Sequence, residues 1–230
     1  MLLSLPRKLI FVHVYKTGGL SVAEALRANW KPKEVLGGKL LRHPLWPGSL
    51  ALIAGWRSRA LELEQHASAR EIRDVIPAEI FNACFKFAFV RNPWSLQLSV
   101  YRHIMRSPTH HQHAIVAALP HFNAYIKWLG SLPNGRHRVQ CDFVMDRDGT
   151  PILDFIGRFE HLAGDFARIA ARLGIPARLP HLNRSEGDPD FRKFYTPASR
   201  DIVGDLYRTD LEAFGYEFEK PAPALQYVAL

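Results

Sequence analysis

Short apolar segments alternate with helical patterns along most of this chain, and the alternation predicts strands joined by helices. Residues 8–14 and the run FKFAFV at 85–90 are predicted strands, because most of their positions are apolar, as in a buried parallel sheet. Apolar residues at helical spacing predict a helix over 20–30 and another that begins at Pro93. The pattern is typical of an α/β protein with a central, mainly parallel sheet flanked by helices.

Capping and amphipathic signals define the remaining predicted helices. Ser68 is followed three residues later by Glu71, the spacing of a capping box, so a helix is expected to begin there. An amphipathic stretch ends at Gly174, a residue type common at helix C-termini. This stretch is a predicted helix over 166–173, and two further predicted helices cover 121–130 and 197–214.

The Asp148-Gly149 pair lies between two β-rich runs within residues 139–159 and predicts a small β-hairpin. No internal repeat and no linker-like change of composition interrupts the chain. We therefore expect one three-layer domain over 1–220, with helices on both faces of the sheet. Residues 221–230 are expected to form a loose C-terminal tail.

The charge balance favours an anionic partner. The chain carries 30 Lys and Arg residues against 22 Asp and Glu residues, which gives a formal net charge of +8. Such an excess is typical of proteins that bind a nucleotide, an acidic glycan, a nucleic acid or a membrane surface. Because no long run of basic residues occurs, we expect no nucleic-acid partner.

The sequence also limits the compartment. No apolar run is long enough for a membrane span, and no cleavage site follows the partly charged N-terminal segment. Cys84 and Cys141 are too few for a disulfide framework or a cysteine-based metal site. We therefore expect a cytoplasmic protein with buried free thiols and without a membrane span.

The first predicted strand leads into the sequence YKTGGLS at 15–21, which has the features of an anion-binding loop. A glycine-containing turn before a helix directs backbone N–H groups and the positive end of the helix dipole to one point. Lys16 adds a positive charge, and Thr17 and Ser21 add hydroxyl groups. Because the lysine precedes Gly18 and Gly19, the loop differs from the Walker A pattern of most kinases and ATPases. A purely structural turn remains the alternative.

The sequence VRNPWSLQLSVY at 90–101 offers a second anion site. Arg91 follows a predicted strand, and Ser99 lies about two turns into the next helix. A guanidinium and a hydroxyl group at this spacing are able to bind a second phosphate. A structural salt bridge and a helix–helix contact are the alternatives.

Taken together, these motifs resemble the sulfotransferase superfamily. YKTGGLS is similar to its 5′-phosphosulfate loop, and VRNPWSLQLSVY is similar to its 3′-phosphate element. The stretches HASAREIRD, FIGRFEHL and LPHLNRS…FYTP…DLEAFGY resemble the carbohydrate and heparan-type branch and its small bacterial relatives. The resemblance covers nearly the whole chain. Tyr15 and Leu20 depart from the proline and the Thr or Ser that are usual at these positions.

The resemblance implies a P-loop-like enzyme that transfers a sulfuryl group from 3′-phosphoadenosine 5′-phosphosulfate to a hydroxyl or amine, without a metal ion. It implies that Lys16 stabilises the leaving oxygen. His66 stands where this branch often carries its catalytic base, and a surface or helix-end histidine is the alternative. The implied donor contacts are Lys16, Thr17, Gly18, Gly19, Leu20, Ser21, Arg91, Ser99, Arg184 and Ser185.

Other polar residues are assigned less specific roles. His13 is expected to pack in the core or to support the site from behind. Glu160 either orients a substrate or forms a structural ion pair. His110, His111 and His113 are expected to lie in a solvated loop, because no other metal-ligand cluster accompanies them.

The acceptor is not identified by the sequence. In such enzymes its recognition lies in variable regions, here 31–65 and 106–135, and the basic surface favours a saccharide or glycoconjugate. Two other functions stay open at this stage. One is a nucleotide-dependent small-molecule kinase, which the position of the lysine and the lack of a clear Mg²⁺ carboxylate disfavour. The other is a nucleotide- or glycan-binding module without catalytic activity.

Overall fold

The computed structural model describes residues 1–30, 63–133, 138–180 and 190–224. These residues group into two compact units. The first consists of the described parts of Met1–Val90 and Gln140–Asn183, and the second of those of Arg91–Val139 and Arg184–Ala224.

The first unit contains a four-stranded sheet in the order β1-β2-β3-β4. Its strands are β1 (Leu2–Ser4), β2 (Leu9–Val12), β3 (Phe85–Val90) and β4 (Phe155–Arg158). Strands β2, β3 and β4 run parallel, and β1 adds antiparallel to β2 at one edge. The predicted α/β class with a mainly parallel sheet is confirmed, and β3 has the predicted bounds. The short strand β1 is an addition that the sequence pattern does not separate from β2.

Ten α-helices are present among the described residues. They are α1 (Gly19–Ala28), α2 (Ala69–Val75), α3 (Ala78–Ala83), α4 (Pro93–Arg106), α5 (His113–Ala117), α6 (Phe122–Ser131), α7 (Cys141–Val144), α8 (Leu162–Leu173), α9 (Pro197–Leu206) and α10 (Arg208–Phe214). Two short 3-10 helices cover Phe159–His161 and Phe191–Phe194. No described helix has the length and apolar character needed to cross a bilayer.

One face of the sheet forms the core of the first unit with α1 and α8. Phe11, Phe87 and Phe155 lie in register across three parallel strands and cluster with buried residues of the two helices, including Leu26 and Phe166. Every residue of β3 is buried, on both faces of the strand. This burial explains why the sequence of β3 is a continuous apolar run instead of an alternating pattern.

The second unit has a hydrogen-bonded polar group in its interior. The Gln97 amide donates to the Tyr207 hydroxyl, and the Tyr125 hydroxyl donates to the Gln97 amide oxygen at 2.8 Å. All three side chains are buried. The network joins α4, α6 and the residue between α9 and α10, and its polar atoms offset one another's desolvation.

Several helix ends confirm the predicted signals. The Ser68 side chain accepts the Glu71 N–H while the Glu71 carboxylate accepts the Ser68 N–H, a complete capping box at α2. Asn92 caps α4, with Pro93 in its first turn. Helix α8 ends at Gly174 with φ 64°, a left-handed conformation that glycine adopts without a Cβ penalty.

The prediction of one continuous helix over 197–214 is wrong. The segment forms α9 and α10, separated at Tyr207, whose φ of −112° and ψ of 21° leave the helical range. The Tyr207 ring is buried and its hydroxyl accepts a hydrogen bond from Gln97. The break therefore coincides with a tertiary contact that the helical pattern of the segment does not reveal.

The hairpin predicted around Asp148-Gly149 is present as a single antiparallel bridge between Met145 and Pro151. Gly149 has the positive φ expected in such a turn, 82°. The first β-rich run does not form a strand, because Cys141–Val144 is one helical turn. Its Phe143 is buried, with its ring 5.9 Å from that of Tyr15, so burial of this side chain is achieved in a helix.

Candidate active site

The predicted anion loop joins β2 to α1 in the first unit. Gly18 is the N-cap of α1, with φ 81° and no side-chain hydrogen bond at the cap. The Val22 N–H donates to the Gly18 carbonyl, while the preceding amides of the first turn have no acceptor within the helix. The first turn contains no acidic residue. This helix end is therefore suited to an anion.

Lys16 and Thr17 are held in specific conformations within the loop. Lys16 has φ 58°, a left-handed conformation that is uncommon for a residue with a Cβ. Thr17 is buried, and its hydroxyl donates to the Val14 carbonyl at 2.9 Å. The Thr17 hydroxyl proton is thus used to close the loop, and its oxygen retains acceptor capacity. Leu20, in the first turn of α1, is 48% exposed.

The two loop glycines are required for different reasons. Gly18 has the left-handed φ, and a Cβ there would lie 2.7 Å from Leu162 Cδ2. A Cβ at Gly19 would lie 2.0 Å from Cδ2 and 2.2 Å from Nε2 of His13. Gly19 is therefore needed for contact with the His13 ring, whereas the sequence pattern explains it by close approach of a ligand.

The candidate base, His66, lies beside this loop. Its Nδ1 is 2.8 Å from the carbonyl oxygen of His13. A carbonyl oxygen only accepts, so Nδ1 carries the proton and the lone pair is on Nε2. The Tyr15 ring lies edge-on at 6.4 Å. The Nδ1 hydrogen bond joins the His66 ring to the backbone of the residue that directly follows β2, two positions before the loop.

His13 lies in the interior, between the loop at Gly19 and the His66 ring. Its side chain is 6% exposed and lies between Phe11, at 5.7 Å, and His66, at 4.7 Å between ring centroids. Burial, followed by the positive charge of neighbouring groups such as His66 and Lys16, lowers the pKa of His13 to about 2. His13 is therefore neutral at physiological pH, and its burial agrees with the expected core or supporting role.

The predicted 3′-phosphate element lies in the second unit. Arg91 is largely buried, and its Nε donates to the Ser95 hydroxyl at 3.0 Å. Ser99 is half-buried on α4, one helical turn beyond Ser95. Ser95 was missed at the sequence level, although it follows Arg91 at a spacing of four residues, which brings side chains together at a helix start.

A second buried arginine, Arg158, was also not singled out from the sequence. Arg158 is the last residue of β4 and is 3% exposed. Its backbone N–H donates to the buried carboxylate of Asp165 at 2.8 Å. The signal in the sequence is similar to that for Arg91, an arginine at the carboxyl end of a β-rich run. Glu160, two residues further on, is exposed.

Some predicted residues lie outside the described part of the chain. Arg184 and Ser185 fall between residues 180 and 190, and most of the first predicted acceptor region falls between 30 and 63.

In the second unit, Trp94 is buried, with its indole N–H donating to the Arg200 carbonyl at 2.9 Å. Trp94 is therefore a core residue.

His110, His111 and His113 of the second unit have partners within the protein. The rings of His110 and His111 stack at 4.5 Å, and His113 Nδ1 donates to the Ile104 carbonyl at 2.8 Å. Within the described ranges, no three His, Cys, Asp or Glu side chains are grouped as metal ligands.

Comparison with known proteins identifies the family. An uncharacterized protein of Archaeoglobus fulgidus is 26% identical over 124 residues, which cover 53% of this chain and 94% of that protein. No solved structure shows a significant match. A family model described as the sulfotransferase family matches residues 3–217. Because that match spans nearly the whole chain, the protein belongs to the sulfotransferase family, which supports a role in sulfuryl transfer.

Proposed function

We propose that this protein is a sulfotransferase that uses 3′-phosphoadenosine 5′-phosphosulfate as its sulfuryl donor. Family membership and the lysine-glycine loop at the start of α1 support the proposal. The observation that carries it is the 2.8 Å hydrogen bond from His66 Nδ1 to the His13 carbonyl. This bond holds the His66 ring against the residue that follows β2 and leaves Nε2 as the basic nitrogen of the neutral imidazole, as the proposed base requires.

The loop is proposed to bind the 5′-phosphosulfate. An anion here interacts with the amides of the first turn of α1 and with the positive end of the helix dipole. The absence of an acidic side chain in that first turn leaves this attraction unopposed locally. The proposed donor contacts of the loop are Lys16, Thr17, Gly18, Gly19, Leu20 and Ser21.

The proposed reaction is an in-line transfer with requirements close to those of phosphoryl transfer. The acceptor oxygen or nitrogen forms a bond to sulfur while the bond from sulfur to the bridging phosphate oxygen breaks. The electron pair of the broken bond remains on the nucleotide, where the Lys16 ammonium stabilises it. Nε2 of His66 takes the acceptor proton. The scheme balances without a metal ion.

Recognition of the 3′-phosphate is assigned to Arg91 and Ser99. The hydrogen bond from Arg91 Nε to Ser95 helps to hold the guanidinium in one orientation, and a guanidinium is the side chain best suited to bidentate binding of a phosphate. Contacts from Arg184 and Ser185 belong to the same proposal. A 3′-phosphate site of this kind distinguishes the donor from AMP and ATP.

The acceptor is proposed to be a saccharide or another hydroxyl-bearing molecule, because the net charge of +8 favours an acidic ligand surface. We place the enzyme in the cytoplasm and in one catalytic domain over residues 1–220. These assignments rest on the sequence signals and on the family.

Calorimetric titration with adenosine 3′,5′-bisphosphate, AMP and ATP tests the donor assignment. The bisphosphate is expected to bind more tightly than either control, and Arg91→Ala is expected to remove the preference. Arg208→Ala, a change of an exposed arginine in the same unit, is the matched control and should leave affinity unchanged. Equal or tighter binding of ATP, or no binding of any nucleotide, would favour a kinase or a binding module instead.

His66→Ala separates an enzyme from a binding module. With the phosphosulfate donor and a panel of saccharide acceptors, the parent is expected to transfer sulfate and the variant to lose transfer while keeping nucleotide affinity. If the parent and the His66→Ala variant both bind the bisphosphate and neither sulfates any acceptor, the result would support a binding module without catalytic activity.

A further inference from the structure

His13 touches both the candidate base and the anion loop. On one side its ring occupies the space that a side chain at position 19 would need, 2.0 Å from a Cβ built on Gly19. On the other side its carbonyl accepts the Nδ1–H of His66 at 2.8 Å, and the two rings lie 4.7 Å apart. A displacement of His13 therefore moves groups on both sides.

The tautomer of His13 is set by its surroundings. The Gln65 side-chain amide donates to His13 Nδ1 at 3.3 Å, which puts the ring proton on Nε2, at the edge that faces Gly19. Burial, aided by the positive charges of Arg27 and Lys16, keeps the His13 imidazole uncharged. A neutral ring adds no repulsion to the imidazolium that His66 forms when it accepts a proton.

We propose that His13 is a positioning residue that couples the anion loop to His66. Its ring sets the position of Gly19, and its carbonyl fixes the tautomer and orientation of His66. The proposal rests on the proposed role of His66 as the base. A change in the loop at Gly19 thus alters the imidazole of His66 through His13, although Gly19 and His66 are on different elements.

A double-mutant cycle between His13 and Gly19 tests this coupling. Gly19→Ala forces the His13 ring to move, because a methyl group does not fit beside it. It is expected to weaken binding of adenosine 3′,5′-bisphosphate by about tenfold, because the backbone shift that relieves the clash moves the loop amides proposed to bind the anion. Heteronuclear NMR of the imidazole nitrogens is expected to show that His66 loses its uniform Nδ1–H tautomer.

In a His13→Ala background the clash is absent, so Gly19→Ala is expected to change affinity by less than about twofold. His13→Ser, which has no atom at the Cδ2 and Nε2 positions, provides a second background if His13→Ala does not fold. Gly164→Ala is the matched control, because a Cβ at Gly164 meets nothing within 4 Å. It should alter neither the affinity nor the His66 resonances.

The coupling would be overturned if Gly19→Ala had the same effect with and without the His13 ring, or if it left the His66 resonances unchanged. A structural effect alone would lower thermal stability without moving the His66 tautomer. The NMR measurement needs no nucleotide. Failure of the parent to bind the bisphosphate would therefore count against the proposed function, while the His66 spectra would still decide the role of His13.

Discussion

The left-handed conformation of Lys16 leads to a prediction about stability and function at the same residue. Lys16 has φ 58°, where a residue with a Cβ is disfavoured by roughly 1–2 kcal/mol. Replacement by glycine removes that strain but adds unfolded-state entropy of about 0.4–1 kcal/mol. We therefore expect Lys16→Gly to be more stable than Lys16→Ala by about 0.5–1 kcal/mol, since both variants lack the ammonium.

The same substitutions should weaken nucleotide binding equally. Loss of a hydrogen bond from a charged donor typically costs about 1.5–3 kcal/mol, so affinity for adenosine 3′,5′-bisphosphate should fall by about tenfold or more in both variants. Urea denaturation measures the stability difference, and calorimetry measures the affinity. The lysine is thus expected to be retained for binding at a cost in stability.

Lys8 offers a matched control in the same unit. It has φ 48° in the turn between β1 and β2 and is exposed. Lys8→Gly should gain stability over Lys8→Ala by a similar amount, with nucleotide affinity unchanged. The reasoning is refuted if Lys16→Gly is no more stable than Lys16→Ala, or if Lys16→Gly is stabilised yet binds the nucleotide as the parent does.

Three further predictions concern individual contacts. Ser68→Ala removes the cap of α2 and should cost about 1 kcal/mol in thermal unfolding with bisphosphate affinity nearly unchanged; no loss of stability would contradict the capping role. Ser95→Ala removes the hydrogen bond from Arg91 Nε and should weaken bisphosphate binding by about three- to tenfold; the loss should vanish in an Arg91→Ala background, and an equal loss there would disprove the link. Hydrogen bonds from Arg73 lower the pKa of Asp146 from 3.8 to about 2, so this interaction stabilises the fold above about pH 4 and is lost as the pH falls towards about 2. In urea denaturation across this range, the advantage of the parent over Arg73→Met should shrink with falling pH, and a constant difference would argue against the ion pair.

Local signals in the sequence predicted much of the fold. The bounds of β3 follow from a run of apolar residues that is buried on both faces, and the starts of α2 and α4 follow from caps formed by near neighbours. These features depend on residues a few positions apart, so one stretch of sequence contains all the information. The split of 197–214 at Tyr207 was not predicted, because the partner of that residue, Gln97, is 110 positions away.

The sequence by itself determined the family and the α/β class, and it pointed to the loop at Lys16 as the candidate anion site and to His66 as the candidate base. These conclusions depend on residue types in a fixed order along the chain. Only the tertiary structure decided that His66 donates to the His13 carbonyl, 53 positions away, and that Gly19 is required by the His13 ring. The physical reason is that side-chain orientation, burial and tautomer are set by whichever elements the fold brings into contact, and no local period in the sequence specifies those partners.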